Sequence, residues 1–290
     1  MIKYLFNKII NKFNIIELDY SKNLKQIDYK KLFDKKIDVL IVRNFLNKEE
    51  IKTAQSIINK IPKDEFIWHD ERYKSIPPVF EYINKMNNLN DYFSLCRNKE
   101  TILNQIFGDF SLENKCIELF SNIFGKSKEN IRRFTLNSTI SNPFPSGCLR
   151  IIPPQYGEIK IHADNNFYPN NSRIHNDFTS VIDLSNHISY ILTIQGAEKG
   201  GNLVLYDIDQ FEYDQLSKDG KAVLKKDTKK EHLIDSFLTK EIIANDGDLV
   251  LFSGGRIWHS VNKMKGEKER ITYGGFSALG KDKQTIYLWT

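Results

Sequence analysis

At 290 residues, with 40% hydrophobic and 12% aromatic content, the chain holds enough apolar material for a full core, which excludes the disordered and fibrous classes. Its 42 Lys plus Arg against 37 Asp plus Glu give a formal charge of +5, with both signs scattered along the sequence. The clearest basic run, Lys225 to Lys230, is broken by Asp227 and lacks interleaved aromatics, so nucleic acid is not an expected partner.

The opening MIKYLFNKIINKFNII has apolar residues at helical spacing with lysines between them. It reads as an N-terminal helix packed on the domain, with a membrane-surface helix as the second reading. Lys and Asn interrupt any signal-peptide core, and no stretch reaches the roughly 18 apolar residues of a span, so no stable membrane insertion is expected. The β-branched run Val39 to Val42 predicts a short strand, and Asn47 is the expected N-cap of a helix over Lys48 to Ile61 that Pro62 ends. Two more helices are expected over Glu100 to Phe107 and Leu112 to Phe124, which makes residues 1–136 a mainly helical part bracing a sheet. Cys96, Cys116 and Cys148 are odd in number and lack CxxC spacing, which argues against a disulfide framework or zinc ribbon and suits a reducing cytoplasm.

From about Asn137 the pattern changes to short strands separated by Gly, Pro and Asn, as in an all-β sandwich or barrel over 137–290. Strands are expected at Cys148 to Ile152, Ile159 to His162, Ser189 to Ile194, Asn202 to Tyr206, Asp248 to Phe252, Ile257 to Val261, Arg270 to Ala278 and Ile286 to Trp289. The two parts are expected to form one structural domain. A charge-rich insertion over 207–243 exceeds an ordinary hairpin and reads either as a lid or as a surface excursion.

His162 and Asp164 close the strand-like run GEIKIHADNN, where period-two geometry puts both side chains on one face. Taken alone such a pair is a weak signal. His259, in GGRIWHSV after the strand DLVLF, is the best third ligand for a facial triad of two imidazoles and one carboxylate, the donor set that leaves positions open on Fe(II). Eleven positions on, Arg270 opens the strand RITYGGFSA and offers a bidentate fork for a carboxylate; its bland alternative is a surface arginine in the turn GEKER. Of the histidines that compete for the metal, His69, in FIWHDER, also neighbours an acid and is a candidate for substrate contact, His175 and His187 lie among Asn, Asp and Ser in loop-like sequence, and His232 has no comparable context. GxSxG, P-loop and GxGxxG motifs are absent.

The segments IHADNNF, SYILTIQGAEKGGNLVLYD and the C-terminal DGDLVLFSGGRIWHSVNKMKGEKERITYGGFSALGKDKQTIYLWT resemble the Fe(II)/2-oxoglutarate oxygenases that act on free small molecules. These include N-acyl amino acid hydroxylases and the carrier-independent halogenases of hapalindole-type pathways. The resemblance implies a mainly β fold with flanking helices around a double-stranded β-helix, a jelly-roll or cupin-like core. It implies iron on His162, Asp164 and His259, 2-oxoglutarate held by Arg270, with Thr272 and Arg150 as further candidates, and oxygen as co-substrate. Asn165, Asn166 and Phe167 are the expected substrate contacts. In the halogenating relatives a glycine stands at the position of Asp164 and admits chloride; here the carboxylate is present, which favours hydroxylation. The rival readings are a protein or peptide side-chain hydroxylase, favoured by an open groove, and a degenerate cupin-like binding module, favoured if the four residues fail to converge.

Overall fold

The computed structural model describes residues 13–22, 24–69, 72–107, 110–136, 142–154, 157–167, 172–210 and 237–290. Fourteen strands are present among them: β1 (Ile15–Asp19), β2 (Val39–Arg43), β3 (Ile67–His69), β4 (Tyr73–Ile76), β5 (Ile131–Arg133), β6 (Cys148–Ile152), β7 (Ile159–His162), β8 (Ile188–Gln195), β9 (Leu203–Asp209), β10 (Thr239–Ile242), β11 (Leu249–Phe252), β12 (Ile257–Val261), β13 (Arg270–Leu279) and β14 (Ile286–Trp289). The larger sheet runs β1-β2-β11-β8-β13-β6-β4-β3, with β14 joining β13 to β5, and the smaller runs β10-β9-β12-β7. From β6 onward the chain crosses repeatedly between the two sheets, and neighbouring strands of this set pair antiparallel. That winding is a jelly roll, the double-stranded β-helix implied by the resemblance.

The alternation along β2 explains the layers. Val39 and Ile41 meet Leu203, Leu205 and Phe252 between the sheets, while Leu40 and Val42 turn outward to the helices. A strand covered on both faces reads as a continuous apolar run. On the outer side lie α2 (Lys48–Ile58), which follows the short α1 (Lys30–Phe33), and α4 (Leu112–Phe124), which follows α3 (Leu89–Phe107). The Asn47 side chain accepts hydrogen bonds from the backbone of Glu49 and Glu50, and the Glu50 side chain accepts one from the Asn47 backbone N–H, so α2 begins with a full capping box. Leu119, Phe120 and Ile123 of α4 and Ala54 and Ile58 of α2 are buried in the core cluster that covers the outer face of the larger sheet. No helix among the described residues is long and apolar enough to cross a membrane.

Three expectations need correction. Ile15 and Ile16 belong to β1, paired parallel with β2, and not to an opening helix; residues 1–12 of that expected helix lie outside the described residues. The third helix starts at Leu89, well before Glu100, because the Asn88 side chain accepts from the Asp91 backbone at 3.0 Å and caps it early. The 207–243 insertion is strand at both ends: β9 runs on to Asp209, and β10 pairs back with it from Thr239 opposite Tyr206. Residues 211–236, including the expected lid, lie outside the described residues.

Candidate metal centre and cavity

His162 ends β7 and stands opposite His259 of β12 in the pairing register, so the two imidazoles rise from adjacent strands of the smaller sheet. Their ring centres are 4.3 Å apart. Asp164 is not on the strand as the spacing suggests; it opens a short 3-10 turn (Asp164–Phe167), and its backbone N–H donates to the Gly254 carbonyl at 2.9 Å. The turn still brings its Oδ1 to 3.4 Å from His162 Nε2 and 3.6 Å from His259 Nε2. Metal bonds of about 2.1 Å at right angles separate neighbouring donors by about 3 Å, so these gaps are close to those around one shared ion.

The donors are also prepared. The Nδ1–H of His162 donates to the Lys160 carbonyl at 2.6 Å and that of His259 to the Ile257 carbonyl at 2.8 Å, which turns both Nε2 atoms toward Asp164. Burial alone would raise the Asp164 carboxyl, but the charge of His259 and hydrogen bonds from both imidazoles hold it well below the usual carboxylate range. Ser189 on β8 donates its hydroxyl to Asp164 Oδ2, so Oδ1 is the oxygen left for an ion. His162, Asp164 and His259 are the group among the described residues that could hold a metal, and the donor set fits iron.

Gly254 is the contact that packs this corner. A Cβ there would lie 2.0 Å from Ser189 Oγ and 2.4 Å from Asp164 Oδ2. Gly254→Ala is therefore expected to push the carboxylate off its position and weaken iron binding by about 10–100-fold, the usual cost of disturbing a ligand's support. Equilibrium dialysis of iron against wild type and variant measures it; equal affinity would mean that the corner relaxes freely.

Along β13, Arg270, Thr272, Gly274 and Phe276 share the inward face. Arg270 is buried and lines a small pocket of about 90 Å³ with Thr193, Ile191 and Val250, and Thr193 stands opposite Thr272. No carboxylate pairs with it among the described residues. Burial, with help from Arg150, pushes its pKa down to about 10, the mark of a cation kept from water without an anion.

A larger cavity of about 510 Å³ reaches the triad, where His162 and Asp164 share its wall with Arg150, Phe276, Tyr73 and Glu81. Arg150 lies opposite Thr272 in register, donates to Cys148 Sγ at 3.3 Å and holds its guanidinium 5.6 Å from the centre of the Phe276 ring. His69 also lines this cavity, stacked on Tyr73 and 2.6 Å from Ser75 Oγ. Asn165 is turned elsewhere: its amide donates to the Leu184 carbonyl and its oxygen faces His187 Nδ1, and it does not line the cavity. The side chains of Asn166 and Phe167 lie outside the described residues. His187 is fully buried, its pKa pushed down to about 4 by burial, and so is neutral. Ser189, Gly254 and Glu81 were missed from sequence; the double glycine before His259 was the one available signal.

The model of the carrier-protein-independent halogenase WelO5 family matches residues 12–290. The chain belongs to that family. The family, the jelly roll and the convergent triad make the protein an oxygenase of the non-haem iron class, with Fe(II) and 2-oxoglutarate as cofactors and oxygen as co-substrate. Among solved structures, an N-substituted L-amino acid dioxygenase from Burkholderia ambifaria AMMD is similar at 13% identity with a TM-score of 0.55, covering 89% of each chain. The same dioxygenase in complex with alpha-KG gives 14% identity and a TM-score of 0.51, again over 89% of each chain. At such identities the likeness is one of fold. No curated protein matches the chain in sequence.

Proposed function

We propose that this member of the halogenase family is a hydroxylase, inserting oxygen at an unactivated carbon of a free small molecule, such as an amino acid derivative or secondary metabolite. The observation that carries the reading is Asp164, a buried carboxylate whose Oδ1 lies within 3.6 Å of both imidazoles, where halogenating relatives have glycine. Bound iron, 2-oxoglutarate and oxygen supply the oxidising power for C–H cleavage and leave succinate and carbon dioxide. The chain supplies placement. His162, Asp164 and His259 would hold the ion, and Asp164 would offset one of its two charges. Arg270, with Thr272 beside it, receives the far carboxylate of 2-oxoglutarate through a charge-assisted fork. Phe276 and Arg150 wall the space between the triad and the substrate.

The cavity of about 510 Å³ suits a small ligand better than an extended peptide, which favours the small-molecule reading. The dioxygenase of similar fold is named for N-substituted L-amino acids, in line with an amino acid derivative. The binding-module reading loses support because the three candidate ligands converge. A metabolite screen for substrate-stimulated succinate release, with products analysed by mass spectrometry under isotopically labelled oxygen and high chloride, tests the proposal. Products carrying label and no chlorine are expected; chlorinated product from wild type would overturn it.

A further inference from the structure

Arg150 lines the larger cavity and not the pocket of Arg270, so the two guanidiniums serve different spaces. Its surroundings fix how it is presented. Nε–H donates to Cys148 Sγ at 3.3 Å, and Cζ stands 5.6 Å from the centre of the Phe276 ring in a cation–π contact. The two terminal nitrogens have no hydrogen-bond or ion-pair partner among the described residues, and they stay open to water. A held guanidinium with its end-on pair of donors unspent is built for a planar anion. The cavity around it is positive as well: Arg72, Lys85 and Lys160 line it with Arg150, against Glu81 and Asp164. Asp164 is already faced by two imidazoles, while Glu81 Oε2 is closed to water and burial raises that carboxyl's pKa, so little negative charge meets an incoming ligand. Lys85 and Lys160 are exposed and screened by salt, which leaves the part-buried Arg150 to act at short range. A cleft lined by one sign of charge concentrates the opposite ion.

We propose that Arg150 is a specificity-determining residue that receives a carboxylate of the substrate on its two terminal nitrogens and so sets which carbon faces the triad. This rests on the oxygenase reading and adds a substrate class to it, a small organic acid. Two parallel charge-assisted bonds fix the acid's direction as well as its position, while Tyr73 and Phe276 offer the apolar remainder their aromatic surface in the same cavity as His162 and Asp164.

The test uses the full chain loaded anaerobically with Fe(II) and saturating 2-oxoglutarate, so that the Arg270 pocket is filled, and titrated calorimetrically with three probes of one shape: phenylpropionate, phenylpropionamide and phenylpropylamine. The acid is expected to bind at least about tenfold more tightly than either other probe, the lower end for hydrogen bonds to a charged group. Arg150→Met keeps an unbranched stem against Phe276 and removes the fork. In it the preference should vanish, while the visible charge-transfer band and the half-saturating concentration of 2-oxoglutarate stay as in wild type. Equal binding of acid and amide by wild type, a preference for the amine, or an acid preference retained by Arg150→Met would each overturn the assignment, and the wild-type ranking judges it whether or not the variant folds. A raised requirement for 2-oxoglutarate in Arg150→Met would place the guanidinium on the co-substrate and overturn it too. Failure of the wild-type band to form would instead count against the oxygenase reading, and the ranking of the probes by wild type and Arg150→Met would still judge Arg150.

Discussion

His259→Ala should abolish turnover while leaving the fold in place. In the proposed centre the imidazole supplies one of three protein bonds to iron, and among the described residues no fourth His, Cys, Asp or Glu joins the group. The rest of its surroundings are modest, a backbone hydrogen bond to Ile257 and the Phe252 ring at a steep angle with 4.8 Å between ring centres. Loss of those contacts trims stability without removing a core layer, and circular dichroism should remain that of the wild type. Iron content after dialysis and succinate production measure the effect. His162→Ala should behave alike, with less structural cost because His162 is partly exposed. A variant that kept iron, the charge-transfer band and activity would place the metal elsewhere.

Arg270→Ala should raise the half-saturating concentration of 2-oxoglutarate by an amount equivalent to about 2–5 kcal/mol, the range for truncating one partner of a buried charge pair. Iron affinity should hardly change, because Arg270 lines a pocket whose walls include none of the three candidate ligands. The separation of the two effects is the informative part, since a general loss of structure would weaken both. In wild type, 2-oxoglutarate should raise the melting temperature by binding the native state alone; in the variant that rise should disappear at the same concentration. Arg270→Lys should recover only part of the affinity, because a single ammonium cannot reproduce the two parallel bonds of the fork. An unchanged requirement for 2-oxoglutarate in Arg270→Ala would remove Arg270 from the co-substrate site.

The strands that carry the candidate site were legible where strand period and chemistry coincided. The run Ile257–Val261 occupies the strand that its pattern predicts, and Arg270 heads a ten-residue strand buried along its whole length. Leu112–Phe124 likewise forms the helix expected from its apolar spacing before Gly125, which takes the left-handed conformation at the cap. Pairings between distant segments were not legible. Ile15–Asp19 is too short to separate a helical from a strand period, and only β2 beside it decides the matter. The same holds for Asp164, where two-residue spacing suggested a strand and the Gly254 carbonyl instead holds a turn. Asn165 looked like a substrate contact because it follows the ligand pair, yet its side chain is spent on Leu184 and His187. Glu81 had no local signature, since an acid between Phe80 and Tyr82 becomes notable only when the cavity forms around it.

Asp164 is expected to occupy the coordination position that halogenating relatives leave to chloride, and an anaerobic titration tests this without knowledge of the substrate. Fe(II) and then 2-oxoglutarate are added to wild type and to Asp164→Gly, each with and without chloride, and the visible charge-transfer band is followed. Wild type should form the complex with one iron and one 2-oxoglutarate per chain, and chloride should alter neither the band nor the affinities. Asp164→Gly should bind iron more weakly and respond to chloride in both. A chloride-dependent band in wild type, or an Asp164→Gly variant that behaves like wild type throughout, would contradict the assignment of Asp164 as a metal ligand and the hydroxylase reading with it.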